Sequence, residues 1–169
     1  MDGIAAQTVP EADPRALGAE LVEVLSLGGA GLRLDLQSIC AASTLVPVGY
    51  EALLRWEHLE RGPLGAPEIL EAAASAGCET QLEAWVVVAA FRLRAAWKAG
   101  GPFRAVNLCE AAIRGGHAAP MVRAALDATG VDPRGLSLEL PEAAVVRDLA
   151  RARELAEALR GHGVVLALD

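Results

Sequence analysis

Cysteine, aromatic residues and long apolar runs are all scarce in this chain of 169 residues. Its three cysteines, Cys40, Cys78 and Cys109, lack the spacing of a zinc site or a disulfide framework. An odd, sparse count fits a reducing compartment, so the expected location is the cytoplasm, and all three read as small core residues. Aromatics make up only 4% of a chain that is 53% hydrophobic, so the apolar content is mostly Ala, Leu and Val. Mean hydropathy is high at +0.33, yet no apolar run approaches the about 20 residues that span a bilayer. The densest stretch, 84–91, lies between Glu83 and Arg92 and reads as a buried helix segment, which argues against a membrane partner. The opening MDGIAAQTVPEADPR has no basic region followed by an apolar one, so no secretory signal is expected. An excess of positive charge is missing too. A net charge of −7 argues against a nucleic-acid polymer as partner. A small anion stays open, because a bound divalent cation would invert the local field.

The chain itself reads as alternating elements after a polar, flexible leader (residues 1–13). A helix is expected over 15–26, with Leu17, Leu21, Val22 and Leu25 at helical spacing and Gly28, Gly29 and Gly31 ending it. Residues 32–39 alternate apolar and polar, a half-buried strand, and 46–56 form a second strand. The six residues between them are too few for a parallel crossover, so this first pair should be antiparallel. A turn follows at 61–65, then helices over 67–76 and 80–98, the latter stopped by Gly100-Gly-Pro102. From there strands at 104–108, 136–140 and 164–168 alternate with helices at 119–129 and 148–160, with Leu149, Leu155 and Leu159 facing inward. That rhythm indicates parallel βα units.

Four acidic or amide residues sit inside apolar runs at nearly regular spacing: Glu51, Asn107, Glu139 and Asp169, separated by 56, 32 and 30 residues. One βα unit of an eight-fold barrel takes about 30 residues. The last three therefore fall at equivalent points of successive strands, with Glu51 two units earlier. Reactive residues of such barrels come from the C-terminal ends of different strands, and carboxylates plus one carboxamide there form a hard-cation site. The same spacing puts the last residue on that ring, so the chain is expected to stop mid-barrel. On the second strand, period two puts Glu51, Leu53 and Arg55 on one face and Ala52, Leu54 and Trp56 on the other. An internal Glu51–Arg55 ion pair and a cation-binding Glu51 beside a phosphate-gripping Arg55 both fit that pattern. His58 reads as a structural turn residue. Glu57, Glu60 and Arg61 read as a solvated charge run, and Trp56, Trp85 and Trp97 as packing residues.

These residues, in order, resemble the EAL-domain cyclic-di-GMP phosphodiesterases. Val48-Gly-Tyr-Glu-Ala-Leu-Leu-Arg-Trp-Glu-His58 is similar to the family signature, with Glu51-Ala52-Leu53 as the eponymous tripeptide. Leu36-Gln-Ser-Ile39, Glu60-Arg-Gly62, Trp85-Val-Val, Trp97-Lys-Ala-Gly100, Val106-Asn-Leu108, Leu138-Glu-Leu-Pro-Glu142 and Leu166-Ala-Leu-Asp169 match further blocks. The resemblance covers residues 15–169. It implies an α/β fold, a TIM-like barrel with an antiparallel first strand, here partial and lacking about its last three strands, with 14–169 as the N-terminal part of an EAL domain. It also implies hydrolysis of cyclic di-GMP to linear pGpG with Mg²⁺ or Mn²⁺ in a two-metal site. Glu51, Asn107, Glu139 and Asp169 would be metal ligands, Gln37 and Arg55 would contact substrate, and Glu51 and Glu142 would belong to the catalytic set. Homodimer formation through the barrel is a further expectation.

The departures from the family pattern are Pro141 in place of Thr, Ser38 in place of Pro and Cys109 in place of Ser. Pro141 holds Leu140 extended, so Glu139 should keep its place while the path to Glu142 shifts. The second Asp of the family's Asp-Asp block is absent, as are the later Lys, Glu and Gln positions. The isolated chain is therefore expected to be inactive, and an unfinished barrel would leave an open sheet edge prone to self-association. The alternative is an inactive EAL module that binds cyclic di-GMP or a protein partner; a third reading is a short interaction protein.

Overall fold

The computed structural model describes residues 13–96 and 103–169. The expected leader over 1–12 and the run Trp97-Lys-Ala-Gly100-Gly-Pro102 lie outside the described residues. Helix α1 (Pro14–Ser26) opens on Asp13, whose carboxylate accepts from the Arg15 N–H at 3.0 Å, with Pro14 in the first turn, where its missing N–H is harmless. The chain then reverses through Gly29 at φ +88, where a Cβ would run into the Trp85 indole. That indole donates its N–H to the Gly28 carbonyl at 3.1 Å.

Strand β1 (Leu32–Cys40) pairs antiparallel with β2 (Pro47–His58), as the short connection requires. The turn closes by Leu45 N–H to Ala41 O at 2.8 Å. Strand β3 (Gly62–Gly65) folds back antiparallel on the far end of β2, with Arg55 opposite Gly65 and His58 opposite Gly62. A turn was expected there. Because β2 overshoots its parallel neighbour, its bare edge takes up the Gly-Pro-Leu-Gly run, and Pro63 is tolerated on a short edge strand. Helices α2 (Ala66–Ala76) and α3 (Glu79–Ala95) lead to β4 (Phe103–Asn107), parallel to the near end of β2. Two further units follow: α4 (Glu110–Arg114), α5 (Ala118–Thr129) and β5 (Leu136–Leu140), then α6 (Glu142–Arg147), α7 (Leu149–Leu159) and β6 (Val165–Leu168). The sheet order is β1-β2-β4-β5-β6, and β4, β5 and β6 are parallel. The fold is thus an α/β sheet of barrel type with an antiparallel first strand, and β6 pairs among the described residues only with β5.

One face of the sheet packs against the helices. Leu54, Trp56, Leu32, Ile69, Ala72, Leu82 and the α1 residues Leu17 and Leu21 form one cluster. Val106, Leu108, Leu136, Leu138, Val87, Phe91, Val122 and Leu155 form a second, with Leu34 and Val86 touching both. The 84–91 run belongs to α3, where Val87, Ala90 and Phe91 are fully buried. Two expectations fail on burial. Leu149, the first residue of α7, is 51% exposed, because it lines an open cleft beside Leu140, Leu166 and Leu168 rather than a closed core. Cys40 is exposed at the end of β1, while Cys78 is buried and Cys109 half-buried; all three are free thiols.

Candidate functional site

The strand register decides which side chains share a face. Glu51 is opposite Ala105, Asn107 is opposite Glu139, and Glu139 is opposite Ala167. Register partners in a parallel pair point the same way, and period two carries the face from Ala105 to Asn107 and from Ala167 to Asp169. Glu51, Asn107, Glu139 and Asp169 therefore lie on the face turned away from the helices, Glu51 on β2 and the other three at the C-terminal ends of β4, β5 and β6. On the antiparallel side Gln37 is opposite Glu51 and Asp35 opposite Leu53, which puts Gln37, Asp35 and Arg55 on this face as well.

Asn107 Nδ2 donates to Glu51 Oε1 at 2.8 Å. Glu139 is half-buried, and its carboxyl is held above the usual range, first by burial and then by the negative charges of Glu51 and Asp169. Asp169 is fixed by backbone: its N–H donates to Leu140 O at 3.0 Å, and its carbonyl accepts from Glu142 N–H at 2.8 Å. Those two bonds straddle residue 141, so Pro141 removes nothing from the β5–β6 ladder. On the other side Leu108 N–H donates to Glu139 O at 2.9 Å. The next bond of a parallel ladder would run from the amide of residue 141 to Leu108 O. Proline has no such amide, so the β4–β5 ladder ends there. The Glu142 side chain is exposed at the start of α6, while its amide is tied to Asp169.

Arg55 does not pair with Glu51. Its Nε stands 3.5 Å from an Asp35 oxygen and its Nη1 donates to Leu54 O at 2.8 Å. Arg33 joins the same network, bonded to Asp35 at 2.9 Å and to Glu57. Glu57 therefore belongs to a cross-strand charge ladder rather than to a free solvated run. His58 is buried, and its Nδ1 accepts the amides of Glu60 and Arg61 at 3.2 and 3.3 Å. The proton therefore sits on Nε2, which donates to Glu20 on α1 at 2.8 Å. That is the structural turn role its position suggests.

A further carboxylate, Glu83, stands behind the rim. It is 5% exposed; Oε1 accepts the Cys109 N–H at 2.7 Å and the Cys109 thiol donates to Oε2. Burial pushes the Glu83 carboxyl up to about 7, against the lowering effect of those two bonds. Burial, and then the Glu83 charge, pushes the Cys109 thiol up to about 12, which makes it a poor nucleophile. Glu83, Asn107, Cys109 and Pro141 line a cleft of about 340 Å³ with apolar walls from Ala52, Leu54, Leu82 and Leu108. Sequence reasoning took Glu83 only as the flank of an apolar run. Its place on the α3 stripe with Val87 and Ala90, four and seven residues on, was the available signal.

The donor set on the rim, carboxylates and one carboxamide, suits a hard cation. Among the described residues, no three His, Cys, Asp or Glu side chains stand close enough together to hold one ion. The donor chemistry fits; the three carboxylates meet electrostatically without converging on a point. No helix among the described residues is long and apolar enough to cross a membrane.

A barrel-type α/β domain with an antiparallel first strand and an acidic rim on its parallel strands is thereby defined. The EAL domain family model matches residues 23–169, and the chain belongs to that family. It is 35% identical over 127 residues to the bifunctional diguanylate cyclase/cyclic di-GMP phosphodiesterase MucR of Pseudomonas aeruginosa, covering 72% of this chain and 18% of the relative. It is 34% identical over 141 residues to the cyclic di-GMP phosphodiesterase NbdA of the same organism, covering 82% of this chain and 18% of that one. Among solved structures, the PaMucR phosphodiesterase in complex with c-di-GMP superposes with a TM-score of 0.78 at 30% identity, over 89% of this chain and 63% of the other. The chain thus spans less than a fifth of the length of these curated relatives.

Proposed function

We propose that this chain forms part of a metal-dependent cyclic-di-GMP phosphodiesterase site, the activity that yields linear pGpG. The observation that carries this reading is the common face: four oxygen-donor residues on β2 and the ends of three parallel strands, with Gln37 and Arg55 beside them. EAL phosphodiesterases in general depend on a divalent metal, and Glu51, Asn107, Glu139 and Asp169 would hold Mg²⁺ or Mn²⁺ here. When bound, such a cation lowers the pKa of a water and stabilises charge on phosphoryl oxygens. Glu51 and Glu139 supply anionic oxygens. Asn107 presents a neutral carboxamide that turns its oxygen inward once Glu51 no longer accepts its N–H. Arg55 offers the guanidinium to a phosphate, which competes with Asp35 for it. Gln37 lies across the β1–β2 pair from Glu51, where it can contact a base or ribose. Glu142 caps the rim through its amide bond to Asp169, and we assign it a supporting place in the catalytic set.

The test is formation of pGpG from cyclic di-GMP by the natural full-length protein, with Mg²⁺ or Mn²⁺ and with chelator. Metal-dependent turnover that Glu51→Ala abolishes supports the reading. Tight dinucleotide binding without turnover would make the domain a binding module instead. Full activity in Glu51→Ala would remove the metal assignment.

A further inference from the structure

We infer that Glu83 is a positioning residue for Asn107, acting through the backbone and thiol of Cys109; this rests on the reading of Asn107 as a metal ligand. Asn107 is the last residue of β4, and its exposed side chain is held by one hydrogen bond, to Glu51 at 2.8 Å. The β4–β5 ladder holds its backbone from behind, opposite Glu139, and what fixes it on the C-terminal side is what fixes residues 108 and 109. The sheet holds Leu108 through its N–H to Glu139 O at 2.9 Å. It offers nothing further, because residue 141 is a proline and the ladder loses its next rung. The chain turns at Cys109 into α4, and at that turn Glu83 takes the place of the sheet. One oxygen receives the Cys109 N–H at 2.7 Å and the other receives the thiol.

Burial makes this clamp stiff. Glu83 is 5% exposed on a helix whose neighbouring residues Leu82, Val87 and Phe91 are within 1% of fully buried. Its carboxylate cannot swing to solvent, and it sits in a medium where hydrogen bonds to charge are strong. Supporting groups one step behind a metal ligand orient it, and losing one typically weakens metal binding by about 10- to 100-fold. Glu83 is placed to do this through Cys109, to which both of its side-chain hydrogen bonds go.

The experiment uses the 169-residue chain, with two readouts: the side-chain amide resonances of Asn107 by NMR, and Mn²⁺ affinity by titration. The expected result for Glu83→Ala is movement of the Asn107 pair toward free-amide positions and Mn²⁺ binding weaker by about tenfold. Cys109→Ser keeps both donors and should leave both readouts in place. Leu17→Ala, a core truncation on α1 far from the rim, should lower stability without moving either. In an Asn107→Ala background, Glu83→Ala should weaken Mn²⁺ binding no further. An unmoved Asn107 pair in Glu83→Ala overturns the inference, as does an equal loss of affinity with and without Asn107. If Glu83→Ala does not fold, Glu83→Asp is the variant to use. Its carboxylate is one methylene short of Cys109, and unchanged Asn107 signals there would overturn the inference equally. If the chain takes up no Mn²⁺ while Glu83→Ala still moves the Asn107 pair, the positioning role stands and the metal reading falls.

Discussion

Glu83 should make the fold less stable as pH rises through neutrality, and the size of that effect follows from its burial. Its carboxyl is pushed up from 4.5 to about 7 in the folded protein, chiefly by desolvation. A carboxyl whose folded value exceeds its unfolded value binds its proton more tightly when folded. The folded state is therefore favoured at low pH. That advantage is lost as pH rises from about 4.5, where the unfolded chain ionises, until it is exhausted above about 7. A shift of this size corresponds to about 3 kcal/mol when the transition is complete, and to about 2 kcal/mol between pH 5.5 and 8. Glu83→Gln removes the titration while its amide oxygen can still accept the Cys109 N–H. Urea unfolding of both proteins at a series of pH values isolates the term, since other titrating groups are common to both and cancel. The difference in unfolding free energy should move in favour of the Gln variant by about 2 kcal/mol from pH 5.5 to pH 8. Parallel pH profiles would refute the argument, because they would mean that Glu83 is already solvated in the native state.

Other outcomes follow from the same structure. Leu138→Ala empties a fully buried position between Val106 and Leu166 and should lower unfolding free energy by about 2–5 kcal/mol; a loss within error would contradict the core assignment. Arg55→Ala in the full-length protein should weaken cyclic di-GMP binding by about tenfold or more, as expected for loss of a charge-assisted contact to phosphate, and calorimetry showing unchanged affinity would remove Arg55 from the substrate face. The purified chain should self-associate, because β6 pairs among the described residues only with β5 and Val146, Val165 and Leu168 are 74%, 58% and 65% exposed. A monodisperse monomer in light scattering would speak against that.

Much of this architecture could be read from local pattern. The alternation in Leu32 to Ile39, the apolar strands around Asn107 and Glu139, and the glycines after α1, α2 and α5 all act over a few residues, and the elements expected from them formed within a few residues of their places; the short helices α4 and α6 were not anticipated. The six-residue link between β1 and β2 fixed their antiparallel pairing by reach alone. What was hidden depends on register or packing between distant segments. Strand β3 exists because β2 runs past β4, which no local signal in Gly62 to Gly65 states. The partner of Arg55 is Asp35, because the hairpin register sets Leu53 opposite Asp35; strand period alone offered Glu51 as readily. Glu83 was passed over because a carboxylate at the edge of an apolar run is usually solvated, and only the packing of α3 against the β4–α4 turn makes it a buried clamp.

Strand β2 behaves like a reading frame shared by three readers. Strand β1 reads residues 47–56, with a register shift at its far end, β4 reads residues 49–52 and β3 reads residues 55–58. Only Leu53 and Leu54 lie between the last two windows. One residue inserted or deleted there would leave Glu51 in phase with β4. Everything beyond would turn over, with Arg55 driven among Leu17, Leu21 and Ile69 and Trp56 set out on the acidic face. Substitutions in β2 can be graded, but a change of length in this short window is all or nothing. The spacing from Glu51 to Trp56 is therefore as much a part of the site as the residues themselves.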